Sequence, residues 1–198
     1  MRRRAALLAA LALPVAAQPA FLPTAEALAL LRGGGLNLYM RHAITDRSQI
    51  DTGRRGDRAG QRNLSAAGQA QARALGEAFR RHALPVAEVL TSEVFRALDT
   101  ARLAFGDGVA IHPSLIADDY TSGDAGADAR AVAALLGRPV AGGGGNRVLV
   151  GHIVPMGMIL GRGLAQAEFP EGCLALFRPQ AGARAFLGFV AAAQLIDT

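Results

Sequence analysis

Arg41 and His42 stand side by side after an apolar run, Arg96 lies just beyond Thr91-Ser92, and His152 follows Val148-Leu149-Val150-Gly151. Guanidinium groups present a planar fork of donors that matches phosphate oxygens. A neutral imidazole is a competent nucleophile towards phosphorus when the acceptor oxygens are neutralised as charge shifts. Two histidines and two arginines therefore suffice to take up a phosphoryl group without a metal. Each residue alone has an ordinary explanation. All 21 positive side chains are arginine, so a lone arginine after a strand is commonly a solvated one, and a histidine beside an apolar strand is commonly structural. The information lies in their joint placement. His82, closing a predicted helix, and His112, before Pro113, read as structural or exposed.

The elements that must position these groups follow from periodicity and punctuation. The pattern predicts a helix over 24–32, with Thr24 as N-cap and a glycine triplet as its stop, then a buried strand over 36–40. Residues 43–63 are polar and aperiodic, a long loop carrying Arg47, Arg54, Arg55, Arg58 and Arg62, and expected to border the site. A helix capped by Ser65 runs to about 82, followed by a strand over 86–90 and a helix over 93–105 whose positive N-terminal end is expected at the site. Beyond lie a short strand over 109–112, a loop over 117–126, a helix over 128–136 and a flexible glycine connection over 142–145. A strand over 147–150, a helix around 156–164 and strands near 174–177 and 185–190 complete the chain. Strands alternating with helices indicate a single α/β domain, a three-layer α/β/α sandwich around a mostly parallel sheet. In such sheets ligands bind outside the carboxyl ends of the strands, where three strands deliver Arg41-His42, Arg96 and His152.

Composition bounds the rest. The chain has 198 residues, 51% hydrophobic and 19% charged, which suits one globular domain. Residues 1–17 read as a signal peptide: Arg2, Arg3 and Arg4 precede an apolar run too short to span a bilayer, and Val15 and Ala17 offer a cleavage pattern. The expected domain is then 18–198, exported to the periplasm or secreted, with no stable membrane insertion after cleavage. Loss of the three leader arginines lowers the formal charge from +5 to +2. With 5% aromatics, that argues against a nucleic-acid partner. The single cysteine, Cys173, excludes an internal disulfide and sits in an apolar run, as a buried structural thiol would.

The segment 38–45, strand-Arg41-His42-Ala43-Ile44-Thr45, resembles the signature of the histidine phosphatase superfamily, with alanine where a glycine is usual. Leu64-Ser65-Ala66-Ala67-Gly68-Gln69-Ala70-Gln71-Ala72, Thr91-Ser92-Glu93-Val94-Phe95-Arg96-Ala97-Leu98-Asp99-Thr100-Ala101 and Val148-Leu149-Val150-Gly151-His152 resemble its later motifs, in order. The resemblance implies a phosphoglycerate mutase-like fold and a phosphohistidine formed on His42. Arg41, Arg96 and His152 would line the phosphate pocket, with Thr45 close by as a substrate-binding residue. It implies no metal and no cofactor. The family's proton donor has its nearest counterpart in Asp118-Asp119, of which Asp118 is preferred for lying two residues beyond an aliphatic. Ile153-Val154-Pro155 is bulkier than is usual after the second histidine. The expected function is hydrolysis of a small extracytoplasmic phosphomonoester. The alternative is a catalytically weak module of the same fold that binds phosphorylated ligands.

Overall fold

The computed structural model describes residues 21–142 and 144–198. The predicted leader, 1–17, and Gly143 of the glycine connection lie outside the described residues. The elements run α1 (Thr24–Gly33), β1 (Asn37–Arg41), α2 (Ala66–Arg81), β2 (Val86–Thr91), α3 (Phe95–Phe105), β3 (Ala110–Ile111), α4 (Ala125–Leu136), β4 (Asn146–Gly151), α5 (Ile153–Leu160), β5 (Leu174–Gln180), β6 (Ala183–Val190) and α6 (Ala192–Ile196).

One six-stranded sheet has the order β3-β2-β4-β1-β5-β6. β3, β2, β4 and β1 pair in parallel, while β5 and β6 form an antiparallel hairpin on the β1 edge. The central strands β1 and β4 are buried from end to end, hence their unbroken apolar stretches. Alternation sorts their side chains into two cores. Leu38, Met40, Val148 and Val150 face α1, α2, α3 and α6, where Leu31, Leu75, Phe79, Ala101 and Leu195 meet them. Tyr39 and Leu149 face α4 and α5, packing with Val132, Leu136, Met156 and Ile159. Helices on both faces of a mostly parallel sheet make the expected three-layer sandwich. No helix among the described residues is long and apolar enough to cross a membrane.

Several element starts depart from expectation for local reasons. Pro23, not Thr24, is the N-cap of α1, and no side chain caps that end. α3 begins at Phe95 because the Val94 N–H is taken by Ser92 Oγ and Val94 stays extended. α4 starts three residues early, where the Asp124 carboxylate accepts from the Gly126 N–H. α5 starts directly after His152: Pro155 falls in its first turn, where a missing N–H costs nothing. Ser65 caps α2 as predicted, accepting from the Gly68 N–H at 3.0 Å.

Candidate active site

The carboxyl ends of β1, β4 and β2 lie side by side, with Arg41 opposite Gly151 and Thr91 opposite Val150. His42 and His152, one residue past their strands, sit with ring centroids 5.4 Å apart. A pocket of about 210 Å³ opens there, lined by Arg41, His42, Arg62, Arg96, Asp118, Asp119 and His152, with Ile153, Val154 and Gln166 at one side.

His42 is 2% exposed and its Nδ1 lies 2.9 Å from the Ala43 carbonyl. A carbonyl only accepts, so this contact puts the ring proton on Nδ1 and leaves Nε2 with a lone pair. Burial, reinforced by the Arg96 charge and opposed by the Ala43 bond, pushes the His42 pKa well below the usual histidine value. The neutral imidazole is therefore its state at neutral pH. The loop after it is tied from three sides. Thr100 Oγ1 accepts from the Ala43 N–H at 2.9 Å and donates to the Arg96 carbonyl at 2.7 Å. Gln71 accepts from the Ile44 N–H and donates to the Glu171 carbonyl. Gly68 lets α2 approach so closely that a Cβ there would lie 1.8 Å from the Ile44 oxygen.

His152 is held through its backbone by Tyr39. The Tyr39 hydroxyl donates to the His152 carbonyl at 3.0 Å and accepts from the His152 N–H at 2.9 Å. Gly151 makes room for that hydroxyl, since a Cβ there would meet it at 2.3 Å. Burial, then the Arg96 charge, push the His152 pKa well down as well.

Arg41 and Arg96 are 3% and 4% exposed. Arg41 donates from one terminal nitrogen to the Phe169 carbonyl, and burial pushes its pKa down to about 10. Arg96 donates to Asp51 at 2.9 Å, lies 3.8 Å from Asp119 and has its guanidinium 5.7 Å from the centre of the Tyr120 ring. Asp51 also accepts from the Tyr120 hydroxyl at 2.6 Å and the Arg62 N–H at 2.9 Å. Burial pushes the Asp51 carboxyl up, but these bonds and the Arg96 charge outweigh it and hold it below the usual carboxylate range. Five buried nitrogens of the pocket residues have no hydrogen-bond partner: Nε of Arg41, Arg62 and Arg96, and both ring nitrogens of His152, with Arg62 Nε 3.8 Å from Asp51 Oδ2.

Asp118 and Asp119 both reach the pocket. Burial, with Asp51 and Asp118 nearby and Arg96 opposing, raises the Asp119 pKa. Thr45 is not among the lining residues: Glu171 accepts from its hydroxyl at 2.7 Å and its N–H at 3.2 Å. His82 bonds to the Leu195 carbonyl and His112 lies away from the pocket, while Cys173 is fully buried. The expected contribution from the N-terminus of α3 is reduced, because the Phe95 N–H is bound by Gln61. The N-terminal residues Ile153 and Val154 of α5 line the pocket instead.

Sequence reasoning missed Tyr39, Asp51 and Glu171 as supporting groups. Gln71 and Thr100 stood inside quoted motifs without a role, which was the available signal. Tyr39, the aromatic in a buried strand two residues before Arg41, was another.

The family model for histidine phosphatase superfamily (branch 1) matches residues 38–116. No curated protein sequence matches the chain. Among solved structures, the protein histidine phosphatase SixA complexed with tungstate is 16% identical with TM-score 0.58, over 81% of this chain and 99% of that one. Phosphoserine phosphatase of Entamoeba histolytica in complex with phosphoserine is 14% identical with TM-score 0.56, over 81% and 98%. Alpha-ribazole phosphatase of Shigella flexneri is 18% identical with TM-score 0.56, over 79% and 96%. At these identities the structures speak to fold. The match over residues 38–116 and the shared fold make the chain similar to the histidine phosphatase superfamily.

Proposed function

We propose that the chain is a phosphomonoesterase in which His42 Nε2 attacks phosphorus and carries the phosphoryl group until water removes it. The observation that carries this reading is the set of buried nitrogens without hydrogen-bond partners on the pocket residues Arg41, Arg62, Arg96 and His152, beside a histidine whose free nitrogen is Nε2. Buried donors without partners are costly, and phosphoryl oxygens satisfy such donors and gain from the arginine charge. That the solved relatives named above are phosphatases supports the same reading.

In the forward step His42 bonds to phosphorus as the ester oxygen leaves. Arg41, Arg62 and Arg96 neutralise the equatorial oxygens, and neutral His152 donates one ring N–H to them. The leaving oxygen takes a proton from the Asp118–Asp119 pair. Asp118 is the preference from sequence. The Asp119 pKa, raised by burial and by Asp51 and Asp118 against the opposing Arg96 charge 3.8 Å away, favours Asp119 as the group that keeps a proton. The same carboxylate then accepts a proton from the water that releases phosphate. The positive charge is supplied by the three arginines, so the reaction needs no metal.

The pocket of about 210 Å³ is below the roughly 300–1,000 Å³ of common ligand clefts, so it encloses a phosphoryl group and leaves the rest of a small substrate outside. With the predicted leader, the substrate is a periplasmic or extracellular phosphomonoester. Hydrolysis of para-nitrophenyl phosphate in EDTA tests the reading. Turnover that survives EDTA and disappears in His42→Ala is the expected result. Phosphate or vanadate binding without any turnover would replace it with a phospho-ligand-binding role.

A further inference from the structure

The phosphate pocket adjoins a second hollow of about 480 Å³, and the two share Ile153, Val154 and Gln166. This hollow runs beside α5 and is also lined by Met158 and Leu164. Its character differs from that of the pocket. Arg162 is the only charged residue lining it, and that guanidinium is already paired with Glu168 at 2.8 Å. Gln166 is the only other polar side chain there.

The apolar wall is also exposed. Among the described residues, five large hydrophobic side chains are exposed, and Val154 (44%) and Met158 (45%) are two of them. They stand four residues apart on α5, on the same helical face, and both line the hollow. Single exposed apolar residues need no explanation, whereas a pair bordering a charged pocket offers apolar surface to whatever the pocket holds. The bulk of Ile153-Val154, unusual in the sequence, forms the shared edge. A phosphate seated on Arg41, Arg62 and Arg96 would send its ester substituent either towards solvent or along this wall. A polyhydroxylated or second anionic group would find one glutamine and no free cation there. An alkyl or aryl group would bury apolar surface against Ile153, Val154, Met158 and Leu164.

We propose that the hollow along α5 holds an apolar substituent of the substrate, so that the preferred substrates are alkyl or aryl phosphomonoesters. The proposal rests on the phosphatase reading for the position of the phosphate and extends it to substrate class. Calorimetric titration of the full chain carrying His42→Ala, with inorganic phosphate and with butyl, pentyl and hexyl phosphate, separates binding from turnover. Affinity is expected to climb about two- to fourfold per methylene. Adding Met158→Gln, at an exposed position that tolerates polarity, should remove most of that climb and leave inorganic phosphate affinity within about twofold.

Affinity independent of chain length, with phosphate still bound, would overturn the proposal and leave the phosphatase reading intact. A chain-length gain undiminished by Met158→Gln would also overturn it, because the chain would then lie elsewhere. Self-association abolished by Met158→Gln would reassign the wall to a subunit contact. No binding of any phosphate would contradict the pocket itself, and both readings with it.

Discussion

At the residue scale, the role proposed for His42 rests on one ring proton being fixed and the other absent. The Ala43 carbonyl holds the Nδ1 proton, and burial among arginines keeps Nε2 unprotonated. The geometry of His152 depends on one hydroxyl in the same way. Tyr39→Phe leaves the buried His152 N–H without a partner and its carbonyl with only the Met156 N–H, which should cost about 1–3 kcal/mol in urea denaturation and lower kcat. A change below about 0.5 kcal/mol with unaltered kcat would show that Tyr39 does not position His152. The two acids separate by leaving group. A protonated Asp119 is needed for a poor leaving group, so activity on an alkyl phosphate should fall as pH rises through its raised pKa. Asp119→Asn should reduce that activity by about 10²- to 10⁴-fold and flatten the fall, while affecting para-nitrophenyl phosphate much less. The same signature from Asp118→Asn would return the role to Asp118.

At the element scale, loops are placed by close approaches between backbones. Gly68 in the first turn of α2 touches the Ile44 carbonyl of the loop after His42. Gly68→Ala should destabilise the protein by about 1–3 kcal/mol and lower kcat, because α2 and the His42 loop must separate. An unchanged melting temperature and kcat would show that the contact relaxes freely. The short motifs around Gly68 and Thr100 were legible because their residue types recur at fixed offsets. Strand ends were legible too, since β1 and β4 are buried throughout and read as apolar runs. The start of α5 was hidden by Pro155, which signals a break unless it falls in the first turn. α6 was missed because five residues carry too little periodicity. Asp51 was illegible for another reason: its partners Arg96 and Tyr120 lie 45 and 69 residues away. Nothing local separates it from Asp46 or Asp57 in the same polar loop.

At the scale of the whole molecule, two neutral histidines are buried among three arginines, and that links stability to pH. Unfolded histidines protonate near pH 6.5, whereas folded His42 and His152 do so only well below it. Between those limits the unfolded chain binds more protons, so stability falls as pH falls below about 6.5. The slope should approach about 1.4 kcal/mol per pH unit for each histidine, and His42→Ala should remove about half of it. Stability constant from pH 7 to 5 would contradict the buried neutral pair. The sheet accounts for why that pair exists: parallel β1 and β4, in register at Arg41 and Gly151, bring both histidines to one edge. The most direct test of the central claim is intact-mass analysis of the protein mixed with para-nitrophenyl phosphate and quenched in alkali, which preserves phosphohistidine. One phosphoryl group on wild-type protein, mapped to His42 and absent from His42→Ala, is the predicted result. Steady turnover with no trapped phosphoryl group, or a group that persists in His42→Ala, would contradict it.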